Sequence, residues 1–89
     1  MARIRIITQD AETFEVTVTA KARTVHIVTL PRDYYQKLTG GKVTAEKLIE
    51  KSFEFLLEHE SNTSILPRFE VAVIARYLPE FEKTIANRI

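Results

Sequence analysis

Apolar and polar residues alternate in the first third of the chain, which predicts three β-strands. Three segments place apolar side chains at every second position: residues 3–7, 14–19 and 24–30. Side chains on a strand point alternately to its two faces, so each segment should have one buried and one solvated face. The links between the segments are short, which favours an antiparallel meander. In the third segment Val25 and Ile27 share one face, and we expect His26 on the opposite, solvated face.

Helical spacing replaces this alternation after residue 30. Pro31 suits the first turn of a helix, where its missing N–H leaves no hydrogen bond unmade. Tyr34 and Leu38 lie four residues apart on one apolar face of the same helix. The glycine pair 40–41 predicts its end, because glycine takes the left-handed conformation of a C-terminal cap.

A longer helix is predicted over residues 45–59, with Thr44 as its N-cap. Its apolar residues cover about half of the circumference, more than a typical surface helix needs. Two interpretations follow: the sheet and the C-terminal segment together cover the helix, or part of it also meets a second copy of the chain. On the second interpretation, the candidate interface residues of this helix are Phe53, Phe55 and Leu57.

The C-terminal segment carries a long helical stripe. Apolar residues recur every three or four positions over residues 66–85, and Pro79 interrupts them. We therefore expect one helix up to about Leu78 and a second, short helix from Pro79 onward. Residues 71–74 are β-branched enough to form a fourth strand instead.

These elements predict a single α+β domain over residues 1–89. A three-stranded antiparallel meander (residues 1–30) is followed by three to four helices packed on one face (residues 31–89). The composition is that of a globular protein, with 45% hydrophobic and 28% charged residues. A domain this short buries only about 60–65% of its unfolded surface, and dimerisation is one common way to add core.

The residue types that are absent narrow the function classes. No cysteine is present, which excludes disulfides, thiol nucleophiles and cysteine-based metal sites. The first apolar run stops at Ile7, too early for a signal peptide, and no run approaches the ~18 apolar residues of a membrane helix. We therefore expect a soluble cytoplasmic protein without a membrane partner.

Charge is distributed unevenly along the chain, although its net value is only +1. Residues 1–43 carry seven lysines and arginines against four acidic residues, a net +3, and residues 44–89 carry six against eight, a net −2. Two such halves can attract each other within one molecule or between two copies. The alternative is two ordinary solvated surfaces.

Groups that could carry catalysis or bind a metal are few. His59 is predicted at the C-terminal end of the long helix, where a protonated imidazole stabilises the helix dipole. Its neighbours Glu58 and Glu60 point about 100° away from it on either side and cannot converge on one ion. No nucleophile, phosphate-binding or metal motif is present, so we expect no catalytic residue, cofactor or metal. Tyr35 and His26 remain as candidate binding residues.

Parts of the chain resemble a group of small uncharacterised bacterial proteins. The resemblance lies in the helix at residues 48–58 and in the C-terminal stretches at residues 64–70 and 77–82. It extends over roughly residues 25–85. The resemblance implies a shared fold and supplies no activity.

The order of strand, proline and two helices over residues 24–60 resembles that of the ribbon-helix-helix repressors and antitoxins. In that family, paired strands from two chains enter the major groove and read bases with alternate polar side chains. Neither face of residues 24–29 carries an arginine, lysine, asparagine or glutamine, the usual base-reading residues. The second helix opens with Glu46, whose carboxylate would face phosphate, so we do not expect DNA binding.

The main functional expectation is a non-catalytic binding or accessory module, with a homodimer as its candidate assembly and any protein partner undefined. The alternative is a ribbon-helix-helix-like DNA-binding regulator or antitoxin. An enzyme comes third, because no motif in the sequence indicates a reaction.

Overall fold

The computed structural model describes residues 2–89, which form an α+β domain. Its strands are β1 (Arg3–Thr8), β2 (Thr13–Thr19), β3 (Arg23–Thr29) and β4 (Arg68–Glu70). Its helices are α1 (Arg32–Thr39), α2 (Ala45–His59), α3 (Ile74–Tyr77) and α4 (Phe81–Ala86). Short 3-10 turns span Asn62–Ser64 and Val71–Val73.

The strands form one mixed sheet in the order β1-β2-β3-β4. β1, β2 and β3 pair antiparallel, so the predicted meander is confirmed for these strands. The prediction of a three-stranded sheet is wrong, because β4 adds a fourth strand that pairs parallel to β3. The chain between β3 and β4 runs through α1 and α2, and a parallel neighbour requires a long crossover of this kind.

The helices pack on one face of the sheet, which we call the inner face. Alternate strand residues point to it and join side chains of the helices and of the C-terminal segment in one core. The buried apolar residues are Phe14, Val16, Val18, Val28, Leu30, Leu48, Ile49, Phe53, Phe55, Leu56, Ile65, Val71, Ile74, Phe81 and Ile85. Residues on the opposite, outer face of β1, β2 and β3 are half-buried or exposed, so the helices leave that face uncovered.

The two faces of β3 are reversed relative to the prediction. His26 and Val28 point inward, whereas Val25 lies on the outer face and is 49% exposed. The register explains the reversal: His26 pairs with Val16 and Val28 pairs with Phe14, and residues paired across two strands share a face. The prediction that His26 lies on the solvated face is therefore wrong, since the residue is 2% exposed.

The boundaries predicted for the first two helices are confirmed. Gly40 ends α1 with a φ of 61°, in the left-handed region that glycine adopts without strain. At the start of α2, the Thr44 side chain accepts a hydrogen bond from the backbone N–H of Lys47 at 3.1 Å. No helix within residues 2–89 combines the length and the apolar character needed to cross a membrane.

α2 is covered by its own chain, which is the first of the two interpretations of its broad apolar arc. The helix contacts β1 on one side and α4 on the other. Phe53 and Phe55 are 1% and 2% exposed. The ring of Phe55 lies 5.5 Å from that of Phe81 in α4, and the ring of Phe53 lies 6.0 Å from that of Phe69 in β4.

The C-terminal segment is less helical than its apolar stripe predicts. β4 occupies the start of the segment, because the Ile27 N–H donates to the Pro67 carbonyl at 2.8 Å and draws the following residues alongside β3. The alternative of a fourth strand at residues 71–74 is wrong, because those residues are helical. A fourth strand does form, but it lies just before them, at Arg68–Glu70. The break predicted near Leu78 is confirmed between α3 and α4.

Candidate binding cleft

An apolar cleft of about 290 Å³ opens beside β4. We call it the β4 cleft. One wall is the C-terminal end of α2, the second is the extended segment before β4, and the third is α3 with the 3-10 turn before it. Its lining is apolar except for two residues and consists of Leu56, Glu60, Ser64, Ile65, Leu66, Phe69, Val73, Ile74, Tyr77 and Leu78.

Buried polar groups hold the extended wall of the cleft against the sheet. Asn62 is 4% exposed and donates from its side-chain amide to the Ala22 carbonyl at 3.0 Å and to Thr24 Oγ1 at 2.9 Å. His26 Nδ1 lies 2.8 Å from the Leu66 carbonyl oxygen, and Nε2 lies 2.8 Å from Thr24 Oγ1. The extended wall is therefore held at one end by Asn62, which contacts β3, and at the other end by His26, which belongs to β3.

The hydrogen-bond partners of His26 define its tautomer. The Leu66 carbonyl can only accept, so Nδ1 carries a proton and donates it. In the neutral ring Nε2 then accepts, and the Thr24 hydroxyl donates to it while accepting from Asn62. Each of these buried groups has a partner, which explains why a histidine is tolerated inside a small core.

The rim of the β4 cleft exposes apolar surface. Tyr77 is 73% exposed and Leu66 is 49% exposed, and both line the cleft. Glu60 also lines it, and the exposed Arg76 precedes Tyr77 on α3. The cleft thus combines an apolar floor, two exposed apolar side chains and the carboxylate of Glu60, and an exposed arginine is the chain neighbour of its rim tyrosine.

The β4 cleft has few polar or titratable groups in its lining. Glu60 and Tyr77 are its titratable lining residues, and neither has a hydrogen-bonded partner in the cleft that would activate it. Within residues 2–89, no three histidine, cysteine or acidic side chains are close enough to share a metal ion. A mostly apolar concave surface with few polar groups is the usual form of a binding site for an apolar side chain or ligand.

The five residues predicted from the sequence do not form one site. Phe53 and His26 pack against each other inside the core, with ring centroids 5.5 Å apart. Phe55 is buried against α4, and Leu57 is half-buried in a shallow groove between β1 and α2. The Tyr35 hydroxyl donates to the Val43 carbonyl and holds the α1–α2 loop. Phe53, Phe55 and His26 therefore have almost no surface to offer a second molecule in this fold.

No sequence pattern indicated the residues that line the β4 cleft. Leu66 and Tyr77 fit the helical stripe of the C-terminal segment, and such a stripe predicts burial. β4 replaces the start of the stripe with extended chain, so Leu66 does not lie on a helix, and α3 buries Ile74 while Tyr77 stays exposed. Only the pairing of β4 with β3, between residues 41 positions apart in sequence, reveals it.

A second polar contact joins α1 to α4 on the helical side of the domain. The Tyr34 hydroxyl donates to Glu82 Oε2 at 2.8 Å, and Lys37 lies 3.4 Å from Glu82 Oε1. Burial, followed by the hydrogen bond and charge of Glu82, raises the pKa of Tyr34 well above its ordinary value. This contact fixes the position of α4 and is remote from the residues that line the β4 cleft.

No protein-family model matches the chain, and comparison with curated proteins and with solved structures finds no match either. The two resemblances indicated by the sequence therefore stay predictions.

Proposed function

We propose that this protein is a non-catalytic binding module of the cytoplasm that assembles as a homodimer through the β4 cleft. The observation that carries the proposal is the exposure of Tyr77 and Leu66 at the rim of an apolar cleft in the same molecule. The proposal moves the dimer contact from the helix 45–59, whose phenylalanines are buried, to the edge of the sheet.

Self-complementarity favours a second copy of the chain as the occupant. In a two-fold dimer each copy presents the same surface, so Tyr77 of each molecule can enter the cleft of the other. The chain also carries opposite charges at the rim, because Glu60 lines the cleft and Arg76 precedes the exposed tyrosine. Arg76 of one copy would then pair with Glu60 of the other.

The expected strength of this dimer is modest. A buried aromatic side chain removes about 150–250 Å² from water, equivalent to about 4–6 kcal/mol at 25 cal/mol per Å². Two tyrosines contribute about twice this amount, and the loss of free translation and rotation offsets about 4–15 kcal/mol. At most about 8 kcal/mol remains, so we expect dissociation no tighter than the micromolar range, where protein concentration controls the assembly.

The alternative, a ribbon-helix-helix-like regulator or antitoxin, has less support. Its DNA-binding ribbon requires the strand before the two helices to pair with the same strand of a second copy. In this fold that strand is β3, which pairs with β2 over Arg23–Thr29 and with β4 over Ile27–Thr29. An enzyme has no supporting observation, because the cleft brings no set of reactive groups together.

Sedimentation analysis of matched variants tests the homodimer. Tyr77→Ser should convert the wild-type dimer to a monomer at tens of micromolar protein, because it removes the inserted ring. Val25→Ala is the control: Val25 and Leu66 are both 49% exposed, but Val25 lies on the outer face of the sheet and does not line the cleft. A wild-type protein that remains monomeric at these concentrations would contradict the proposal.

Charge exchange tests the geometry of the contact. Glu60→Arg and Arg76→Glu should each weaken the dimer by about tenfold, because each single change places like charges across the interface. The double variant should recover most of the lost affinity, since it restores opposite charges with their positions swapped. Recovery is expected only if the two residues meet between copies, so an additive loss in the double variant would exclude this arrangement.

A further inference from the structure

The outer face of the sheet carries four cationic side chains, and all four are arginines: Arg3, Arg5, Arg23 and Arg68. The sequence separates them widely, but the strand register brings three of them to one end. Thr19 pairs with Arg3 on one side and with Arg23 on the other, and Thr17 pairs with Arg5. We call Arg3, Arg5 and Arg23 the arginine corner.

The spacing of the arginine corner follows from sheet geometry. Two residues along a strand are about 7 Å apart, and two strands across a sheet are about 10 Å apart. The three arginine positions are therefore separated by about 7–12 Å on a rigid surface. Threonine hydroxyls lie between them, and Lys21 is exposed in the turn from β2 to β3 at the same end.

No carboxylate forms an ion pair with the arginine corner. Among residues 2–89, none of its arginines lies within 4.0 Å of an acidic side chain. On the outer face, Glu15 lies one row beyond Arg5, opposite Ile7, and Glu70 lies on β4 opposite Thr29.

Three carboxylates of α2 line the groove between β1 and α2 together with Arg3, and each already has a cationic partner. Glu50 pairs with Lys47 and Glu54 with Lys51, both at 3.3 Å. Glu58 accepts two hydrogen bonds from Arg88, at 2.7 and 2.9 Å. Charges more than about 10 Å away are screened at ordinary ionic strength. The small net charge of the whole chain therefore does not describe the potential at this corner.

We propose that the arginine corner binds the phosphate backbone of double-stranded nucleic acid without reading its sequence. A guanidinium group donates two parallel hydrogen bonds to phosphate oxygens, and threonine hydroxyls are common additional donors to phosphate. A duplex presents a stiff, regular row of charges, one for about every 1.7 Å of its axis, which suits cations fixed on a sheet.

The composition of the outer face favours a duplex over a single strand. Proteins that bind single strands stack bases on aromatic side chains, and such stacking supplies much of their affinity. The outer-face positions of β1 to β4 contain arginine, threonine, isoleucine, valine and glutamate, and no aromatic residue. Binding should therefore depend mainly on phosphate charge.

This inference goes beyond the homodimer and uses a different part of the surface. The arginine corner lies on β1 and β3 at the end of the sheet where the turn from β2 to β3 lies, whereas β4 pairs with the other end of β3, at Ile27–Thr29. The two sites can be tested independently, because the variants of one leave the residues of the other unchanged.

Fluorescence anisotropy with a labelled duplex of mixed sequence tests the proposal. The wild-type protein should bind at about 50 mM salt, with an affinity that falls steeply toward about 200 mM. Contact with three phosphates predicts a slope of about −2.7 in a plot of log affinity against log salt. The Arg3→Gln/Arg5→Gln/Arg23→Gln variant should bind at least tenfold more weakly and lose most of this slope.

The control changes the same amount of charge elsewhere on the surface. Arg32→Gln/Lys42→Gln/Lys83→Gln removes three exposed cations of the helical side and should reduce the slope by less than about 1. Circular dichroism establishes that both triple variants are folded. If both triple variants lose the same affinity, the binding is diffuse and the proposed site is incorrect.

Two further probes separate duplex nucleic acid from other polyanions. Single-stranded oligothymidine of equal length should bind more weakly than the duplex. Poly-glutamate should compete poorly at equal charge concentration; competition as strong as that of the duplex would identify an acidic protein surface as the partner and overturn the proposal. Absence of duplex binding at about 50 mM salt would overturn it as well.

Discussion

The inner and outer faces of the sheet are made by the same strands but differ in how far they bury polar and apolar side chains. On β3, the inward Val28 is fully buried, whereas the outward Val25 is 49% exposed. The inner face also holds His26, whose two ring nitrogens both have hydrogen-bond partners. A polar side chain is therefore tolerated inside this domain when all its polar atoms are hydrogen-bonded, and an apolar side chain is tolerated on the uncovered outer face.

A buried charge gives the sharpest test of this difference. Val28→Asp should destabilise the domain by more than about 4 kcal/mol, because the carboxylate would enter the core without a partner. A domain of this size has a total stability of about 5–15 kcal/mol, so much of the variant should be unfolded. Val25→Asp on the same strand should cost less than about 1 kcal/mol. Urea denaturation followed by circular dichroism measures both values, and equal losses would mean that the faces are assigned incorrectly.

A smaller loss of stability is expected when the inner histidine is replaced by an aromatic residue that cannot form its hydrogen bonds. His26→Phe should cost about 1–3 kcal/mol, because the buried Leu66 carbonyl and the Thr24 hydroxyl each lose a partner. Val25→Phe introduces the same ring on the outer face and should change stability by no more than about 0.5 kcal/mol. The same denaturation experiment compares the two variants. A neutral His26→Phe would show that the histidine merely fills space.

The smallest effect is a dependence of stability on alkaline pH on the helical side of the inner face. Burial and Glu82 raise the pKa of Tyr34 in the folded state above its unfolded value. This contact therefore contributes its full stability below pH about 10, the ordinary tyrosine pKa, and loses it as the pH rises further. Tyr34→Phe should flatten the stability profile above pH 10 and leave the profile at pH 7–9 parallel to that of the wild type. An unchanged alkaline slope would indicate that the phenol is not linked to folding.

The meander and the first two helices could be predicted because their signals are local. Alternation in β1 and β2, the N-cap at Thr44 and the glycine at position 40 each act over a few residues. Which face of β3 is buried could not be predicted in this way, because valine or isoleucine occurs at both odd- and even-numbered positions of that strand. The register with β2 resolves the ambiguity, and register is a property of two strands.

The candidate sites were harder to predict than the fold, because both depend on contacts between distant residues. The arginine corner combines the start of β1 with the start of β3, and the sequence alone shows only a modest excess of positive charge in the first half. The β4 cleft requires a short strand that the helical spacing of the C-terminal segment conceals. Phe53 and Phe55 were candidate interface residues because aromatic side chains are common in interfaces. In a small domain, however, large aromatic residues are needed to fill the core.

The bond between His26 and the Leu66 carbonyl connects residues that are 40 positions apart. Contacts of long sequence separation form late in folding, after shorter loops have closed. β4 is only three residues long, so few other bonds hold this edge once that contact is open. The edge is therefore the part of the sheet expected to open most readily in the native state, and its amide protons should exchange with solvent before those of the meander.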